Sequence, residues 1–201
     1  MKGSNNMKLK KILAAGLAAI MVFSMAACSS DDKNNDKDSS KKTEKTTEKN
    51  TQSNVKLSDI CGEIKKAYGE DYIPDMEYDD IFITDTLGLS KDDYEEIVAE
   101  GPLVSFNIDT LIAVKAKSGK GDVVFERLNA YRDYLINDAM MYPTNAVKIQ
   151  ASQVVRHGDY VFFVYLGVVD MATEEQGEEA ILQEAKDNTK IAVDVIDGFF
   201  K

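Results

Sequence analysis

The chain has 201 residues, an ordinary apolar share of 44%, and Lys+Arg 24 against Asp+Glu 35; this is room for one domain with appendages and too little for two of full size. Residues 1–27 carry four lysines and no acid, so without them 20 basic side chains face 35 acidic ones, a net of −15. Nucleic-acid affinity comes mostly from Lys and Arg neutralising phosphates, so this balance excludes nucleic acid as a partner and disfavours direct contact with anionic lipid headgroups.

Met7 opens a run whose basic part is Lys8, Lys10 and Lys11, followed by the apolar stretch Ile12 to Phe23 and the small residues Ala26 and Ala27. That order of basic, apolar and small is the order of an export signal, and the apolar part is shorter than the roughly 20 residues a spanning helix needs. Met25-Ala26-Ala27-Cys28 resembles the lipobox of bacterial lipoproteins. The departure is Met25 at a position where the family pattern has Leu, a side chain of similar bulk. The resemblance implies cleavage before Cys28, a diacylglycerol on its thiol together with further acylation such as palmitate, and a protein fixed to the outer face of the cell membrane. One acyl chain anchors marginally, whereas two or three make the attachment effectively stable.

Residues 28–54 are expected to be this lipidated cysteine and a tether. Ser29 to Asn54 has no aliphatic or aromatic residue, and its six acids balance its six lysines. Such a segment buries nothing and is expected to be disordered. As a flexible coil it reaches on the order of 30 Å, by square-root scaling of linker length.

Apolar periodicity begins at Val55 and runs to the end, predicting a single domain over residues 55–201. Leu57, Ile60, Cys61, Ile64 and Tyr68 fall at helical spacing, with Gly69 as a stop. A second, short helix is expected around Asp79 to Leu87, capped by Asp79 or Asp80. Tyr94 to Phe106 reads as a strand broken at Gly101-Pro102, since proline cannot donate to a ladder. Asn107-Ile108-Asp109 turns the chain back into a strand over Thr110 to Lys117. Ser118 to Asp122 then leads into a long helix with Val124, Leu128, Tyr131 and Leu135 on one face, ending before Pro143.

Ser152 to Arg156 and Tyr160 to Val169 form a second hairpin around His157-Gly158-Asp159. Thr173 with Gln176 has capping-box spacing, opening a terminal helix with Ile181, Ala185, Ile191, Val195 and Phe199 on its apolar face. The expectation is an α+β fold of order α-α-β-β-α-β-β-α, an antiparallel sheet of about four strands in two hairpins packed with helices. Tyr160 to Val169 has no charge and almost no alternation, so it must be covered on both faces. Either the two N-terminal helices supply the second cover, or a partner protein does.

Chemistry-bearing residues are sparse. The single histidine, His157, sits at the hairpin turn, where a solvated role is expected. A hydrolase would need it as a base, with Asp159 as its orienter; residues two apart on a tight turn rarely face one another, and no Gly-x-Ser-x-Gly elbow exists. Cys61 lies on the apolar face of the first helix and is expected to be an inert small hydrophobe. Asp71, Asp75, Glu77, Asp79 and Asp80 are dense enough to suggest calcium. The loop template nevertheless fails, with Met76 at the position needing glycine and Phe82 at the position needing a bidentate glutamate. Glu174, Glu175, Glu178 and Glu179 read as acids favoured at a helix start. The absence of Trp removes the usual platform for sugar stacking. Ser118-Gly119-Lys120-Gly121 lacks the spacing of a phosphate loop. No catalytic, metal or cofactor residues are therefore expected beyond the lipid on Cys28.

The domain also resembles an uncharacterised family of Gram-positive bacterial lipoproteins, designated domain of unknown function 4358. The likeness is carried by Leu111 to Lys117 followed by a helix, by Tyr142-Pro143, and by Val154 to Phe163. It covers Val55 to Lys201 and implies fold and export but no activity; Tyr142, Lys115 and Asp159 are the polar residues that stand out within these motifs. Two functions are compatible with the residues. One is a non-enzymatic binding or scaffolding component of the cell envelope, possessing a membrane anchor and an envelope protein as partner; the other is an envelope hydrolase using carboxylates or His157. A two-lobed solute receptor is disfavoured, because the chain has one lobe.

Overall fold

The computed structural model describes residues 55–104 and 106–201. The expected leader, Cys28 and the expected tether lie outside the described residues. Five antiparallel strands form one sheet: β1 (Met76–Glu77), β2 (Tyr94–Gly101), β3 (Thr110–Ala116), β4 (Gln153–His157) and β5 (Tyr160–Tyr165), in the spatial order β1-β2-β3-β5-β4. Around them lie α1 (Leu57–Tyr68), α2 (Gly121–Asn137), α3 (Pro143–Lys148), α4 (Met171–Glu174) and α5 (Glu178–Phe199). This is the expected α+β class, with both hairpins in place. The sheet has five strands rather than four because Met76 and Glu77 pair with Gly101 and Glu100, an edge too short to leave a periodic signal.

The centre of the sheet is β3 against β5, with Leu111 opposite Val164, Ile112 opposite Phe163, Ala113 opposite Phe162 and Val114 opposite Val161. Side chains alternate between faces along a strand, so these pairs separate into two apolar clusters. On one face Ile112, Val114, Val161, Phe163 and Tyr165 pack with Val124, Leu128 and Tyr131 of α2. On the other, Leu111, Ala113, Tyr160, Phe162 and Val164 pack with Leu57, Ile60 and Ile64 of α1 and with Ala192 and Ile196 of α5. All six residues of β5 are buried. The charge-free strand is thus covered from within the chain, although the second cover is α1 with α5, not the two N-terminal helices together.

The element expected as a second helix is a single π-helical turn, Phe82–Thr86, on the α2 face, where Ile83 and Leu87 are buried. Asp79 does cap it, accepting from the Phe82 N–H at 2.9 Å. The long helix α2 ends at Asn137, ahead of Pro143 as expected, but Pro143 also opens the unexpected α3, where its fixed φ and missing N–H suit a helix start. Thr173 and Gln176 form no capping box. Asp170 caps the short α4 through the Ala172 N–H, Gln176 donates its side-chain amide to the Ala172 carbonyl, and α5 begins after Gly177 at φ 102°.

The buried face of α5 is Ile181, Ala185, Thr189, Ala192 and Ile196, with Ile191 exposed and Val195 and Phe199 half-buried. The expected stripe drifted because it followed the large side chains, whereas the helix brings its small ones against its neighbours. Ile181 and Ala185 join the first cluster and Ala192 and Ile196 the second, so α5 ties the two together. Tyr68 of α1 locks this arrangement, donating to the Asn188 carbonyl at 2.6 Å and accepting from the Ala192 N–H. Among the described residues no helix is long and apolar enough to cross a membrane.

Candidate functional site

At the end of the sheet where β3 begins and β5 finishes, three connecting segments leave a cleft of about 620 Å³, within the size range of small-molecule sites. Its walls are residues 106–109 ahead of β3, the start of α3, and residues 167–169 after β5. Local sequence dictates each wall. Tyr142 is extended at ψ 145°, as a residue before proline must be, and this swings its ring out to the rim. Gly167 has φ 107°, and a Cβ there would sit 2.6 Å from the Cβ of Asn188, so only glycine lets the chain leave β5 in this direction.

That turn aims the Gly167 N–H at Asp109, whose Oδ1 accepts it at 2.7 Å. Asp109 is buried, with 7% of its surface exposed, and burial pushes its carboxyl up from 3.8 to about 6. The Gly167 and Asp109 backbone N–H groups and the Lys148 charge act in the opposite direction without cancelling the desolvation. Lys148, in the last turn of α3, is bonded to Glu174 of α4 at 2.5 Å, a pair mostly shielded from water. Asn145 is buried and donates to the Phe106 carbonyl at 2.7 Å, pinning the loop ahead of β3 to α3. Tyr165 closes the floor; burial first, and then the charges of Asp109 and Glu174, raise its hydroxyl well above the ordinary range, so it stays protonated.

The rim is apolar and open: Phe106, Tyr142 and Val168 are each more than half exposed. Leu103 and Met140, in the segments that lead into β3 and α3, and Met171, the first residue of α4, are exposed as well. A cleft with an aromatic lip, two carboxylates and one committed lysine can hold a ligand by its apolar body and orient it by charge.

Most residues singled out in the sequence lie elsewhere. His157 is not a solvated turn residue. It ends β4 and is partly buried, its Nε2 2.9 Å from Asp197 Oδ1 and its ring stacked on Phe200 at 4.5 Å. Its orienting carboxylate is therefore Asp197 of α5, not Asp159. His157 pairs with Tyr160 at the far end of β5 from Tyr165, about 17 Å away at ~3.4 Å per residue, so it does not reach the cleft. Cys61 is buried against the opposite face, and burial, with the nearby Glu100 charge, pushes its thiol up to about 12.

The acidic run before the π turn is engaged piecemeal: Asp75 accepts from the Leu103 N–H, Asp79 caps Phe82, and Asp80 pairs with Lys91. Among the described residues no cluster of three or more metal-ligating side chains is placed to hold an ion. Lys115 pairs with Glu95 on the sheet, and Lys120 of the glycine-containing turn bonds Asp93. Of the later acids only Glu174 reaches the cleft; Glu175, Glu178 and Glu179 are exposed. Tyr142 alone among the residues that stood out in the resemblance lines the site. Asp109, Asn145, Lys148 and Tyr165 were not singled out. The sequence signal for part of this was Pro143 followed by Thr144-Asn145, which marks the start of α3 as well as the limit of α2.

An α+β domain with a lipped cleft at one end of a five-stranded antiparallel sheet is the class these observations define. Residues 67–166 match the family model described as Domain of unknown function (DUF4358), so this segment carries an uncharacterised domain. The match takes in the whole sheet and the cleft residues Asp109, Tyr142, Asn145, Lys148 and Tyr165, and stops short of α5. No curated protein and no solved structure matches the chain.

Proposed function

We propose that this chain is a lipid-anchored lipoprotein on the outer face of the cell membrane, and that its domain is a binding module of the cell envelope with the cleft as its ligand site. The order of basic, apolar and small residues ending at Cys28 supports export and lipidation, and the charge-balanced Ser29 to Asn54 supports a tether. The observation that carries the binding reading is the cleft of about 620 Å³, open and apolar at its lip, with polar side chains inside held by backbone groups and by one another.

The alternative, an envelope hydrolase, has one observation in its favour: a buried carboxyl inside a cleft with its pKa raised to about 6. It lacks a free second member, because His157 is at the far end of β5, Cys61 is on the other face, and Glu174, the other carboxylate of the cleft, is paired with Lys148; a reaction needs a constellation. Two experiments test the proposal. Cys28→Ala should move the protein from the membrane fraction into the medium and abolish incorporation of an alkyne-bearing palmitate. A photo-crosslinking phenylalanine analogue at Phe106 or Tyr142 should give a discrete adduct on intact cells, and the same analogue at Tyr134, exposed on α2, should not. Equal yields at all three positions would remove the cleft as the binding site.

A further inference from the structure

We infer that the cleft takes an organic ammonium ligand, a positively charged nitrogen joined to an apolar or aromatic body, with the charge on Asp109 and the body against Phe106, Tyr142 and Val168. This rests on the cleft being the binding site and names the chemistry of what fills it.

Asp109 carries the inference. A carboxylate withdrawn from water is costly unless a cation or several hydrogen bonds compensate it. Here one oxygen receives the Gly167 N–H, and among the described residues no Lys, Arg or His nitrogen lies within 4.0 Å of either oxygen. The cation closest in role, Lys148, is bonded to Glu174 at 2.5 Å and acts on Asp109 only through space. The cleft therefore holds two carboxylates against one ammonium. Its unmatched charge is negative, and it lies at a buried position where a charge-assisted hydrogen bond is about twice as strong as a neutral one.

The lip points to the same ligand. Phe106 and Tyr142 present open aromatic surface, which attracts cations through the ring face and covers hydrocarbon equally well. An anionic ligand would meet Asp109 and Glu174 without a free partner. A neutral one would leave Asp109 uncompensated. The excess of acid over base in the chain also draws cations towards it from solution.

The test uses the full chain in detergent, with methyl resonances of Ile108, Val168 and Val169 as reporters and three probes of similar shape: phenethylammonium, 2-phenylethanol and 3-phenylpropionate. The ammonium should shift the cleft methyls and bind at least tenfold more tightly than the alcohol, while the carboxylate should bind least. Asp109→Asn keeps an oxygen for the Gly167 N–H and removes the charge, so it should erase the preference for ammonium over alcohol. The comparison of probes on the unaltered chain decides the matter even if that variant fails to fold. A capped peptide, Ac-Ala-Phe-Lys-Ala-NH2, separates the sources of the cation: tighter binding than the free amine assigns it to a peptide side chain, and weaker binding assigns it to a free amine. Alcohol or carboxylate binding as tight as ammonium in the cleft would overturn this inference and leave the binding reading intact. No cleft shift with any probe would also overturn it, and the crosslinking at Phe106 and Tyr142 would then judge the binding reading separately.

Discussion

Replacing Asp109 by asparagine should make the protein more stable at neutral pH, with the gain disappearing in acid. Asp109 is buried, and its carboxyl titrates near 6 in the folded chain against 3.8 for a free side chain. The native state therefore holds this proton more tightly than the unfolded state does. Stability from that preference is fully present below about pH 4 and is lost as pH rises through 6, because above that point the folded chain must keep a charge in a poorly solvated place. A displacement of roughly two pH units corresponds to about 3 kcal/mol. Asparagine is nearly the same shape, still accepts from the Gly167 N–H, and carries no charge to desolvate. The stability difference between variant and parent should thus grow in the variant's favour by about 2–3 kcal/mol between pH 3.5 and pH 8. Urea melts followed by far-UV circular dichroism suit a chain without Trp, and the contributions of other groups cancel in the difference. A difference that stays level across the range, or grows in the parent's favour, would refute the assignment of Asp109 as a desolvated carboxylate. A variant that gains stability and loses ammonium binding would carry the mark of a residue kept for function at a cost to the fold.

Asp93 should behave in the opposite sense. The Ser90 hydroxyl and N–H, together with Lys120, hold its carboxyl down to about 2, so its stabilisation is present above pH 4 and fades as pH falls towards 2. Asp93→Asn should cost about 2 kcal/mol at pH 7 and much less at pH 2.5 in the same melts. Gly167→Ala places a Cβ 2.6 Å from that of Asn188 at a φ of 107°, and should cost about 2–4 kcal/mol while weakening any cleft ligand, read by thermal melting and the methyl shifts. Cys61, buried and with its thiol pushed up to about 12, should resist an aromatic disulfide reagent at pH 8 until urea unfolds the chain; full labelling of the native protein would contradict its burial.

Local periodicity was enough for α1, whose five buried residues are those its spacing marked, and for the face of α2. It was enough also for β3, β5 and the two hairpins, because alternation, glycine and proline act within a few residues. It was misleading where packing selects among similar local options. The buried stripe of α5 runs through Thr189 and Ala192 instead of Ile191, and the helix comes close enough to α1 for the Tyr68 hydroxyl to bond the Asn188 carbonyl and the Ala192 N–H. Pro143 punctuates a chain in both directions: α2 ends ahead of it at Asn137 and α3 begins on it, and the packing of Asn145 against the Phe106 carbonyl lies outside any local signal.

What the residues determine alone is an order of basic, apolar and small residues ahead of Cys28, a polar stretch with no apolar side chain to bury, and an α+β arrangement in which β5 needs cover on both faces. The identity of that cover and the existence of the cleft were decided by tertiary structure. Asp109 and Gly167 stand 58 positions apart, and Lys148 and Glu174 stand 26 apart. The burial that alters a carboxyl and the pairing that commits a lysine arise only when those separations close.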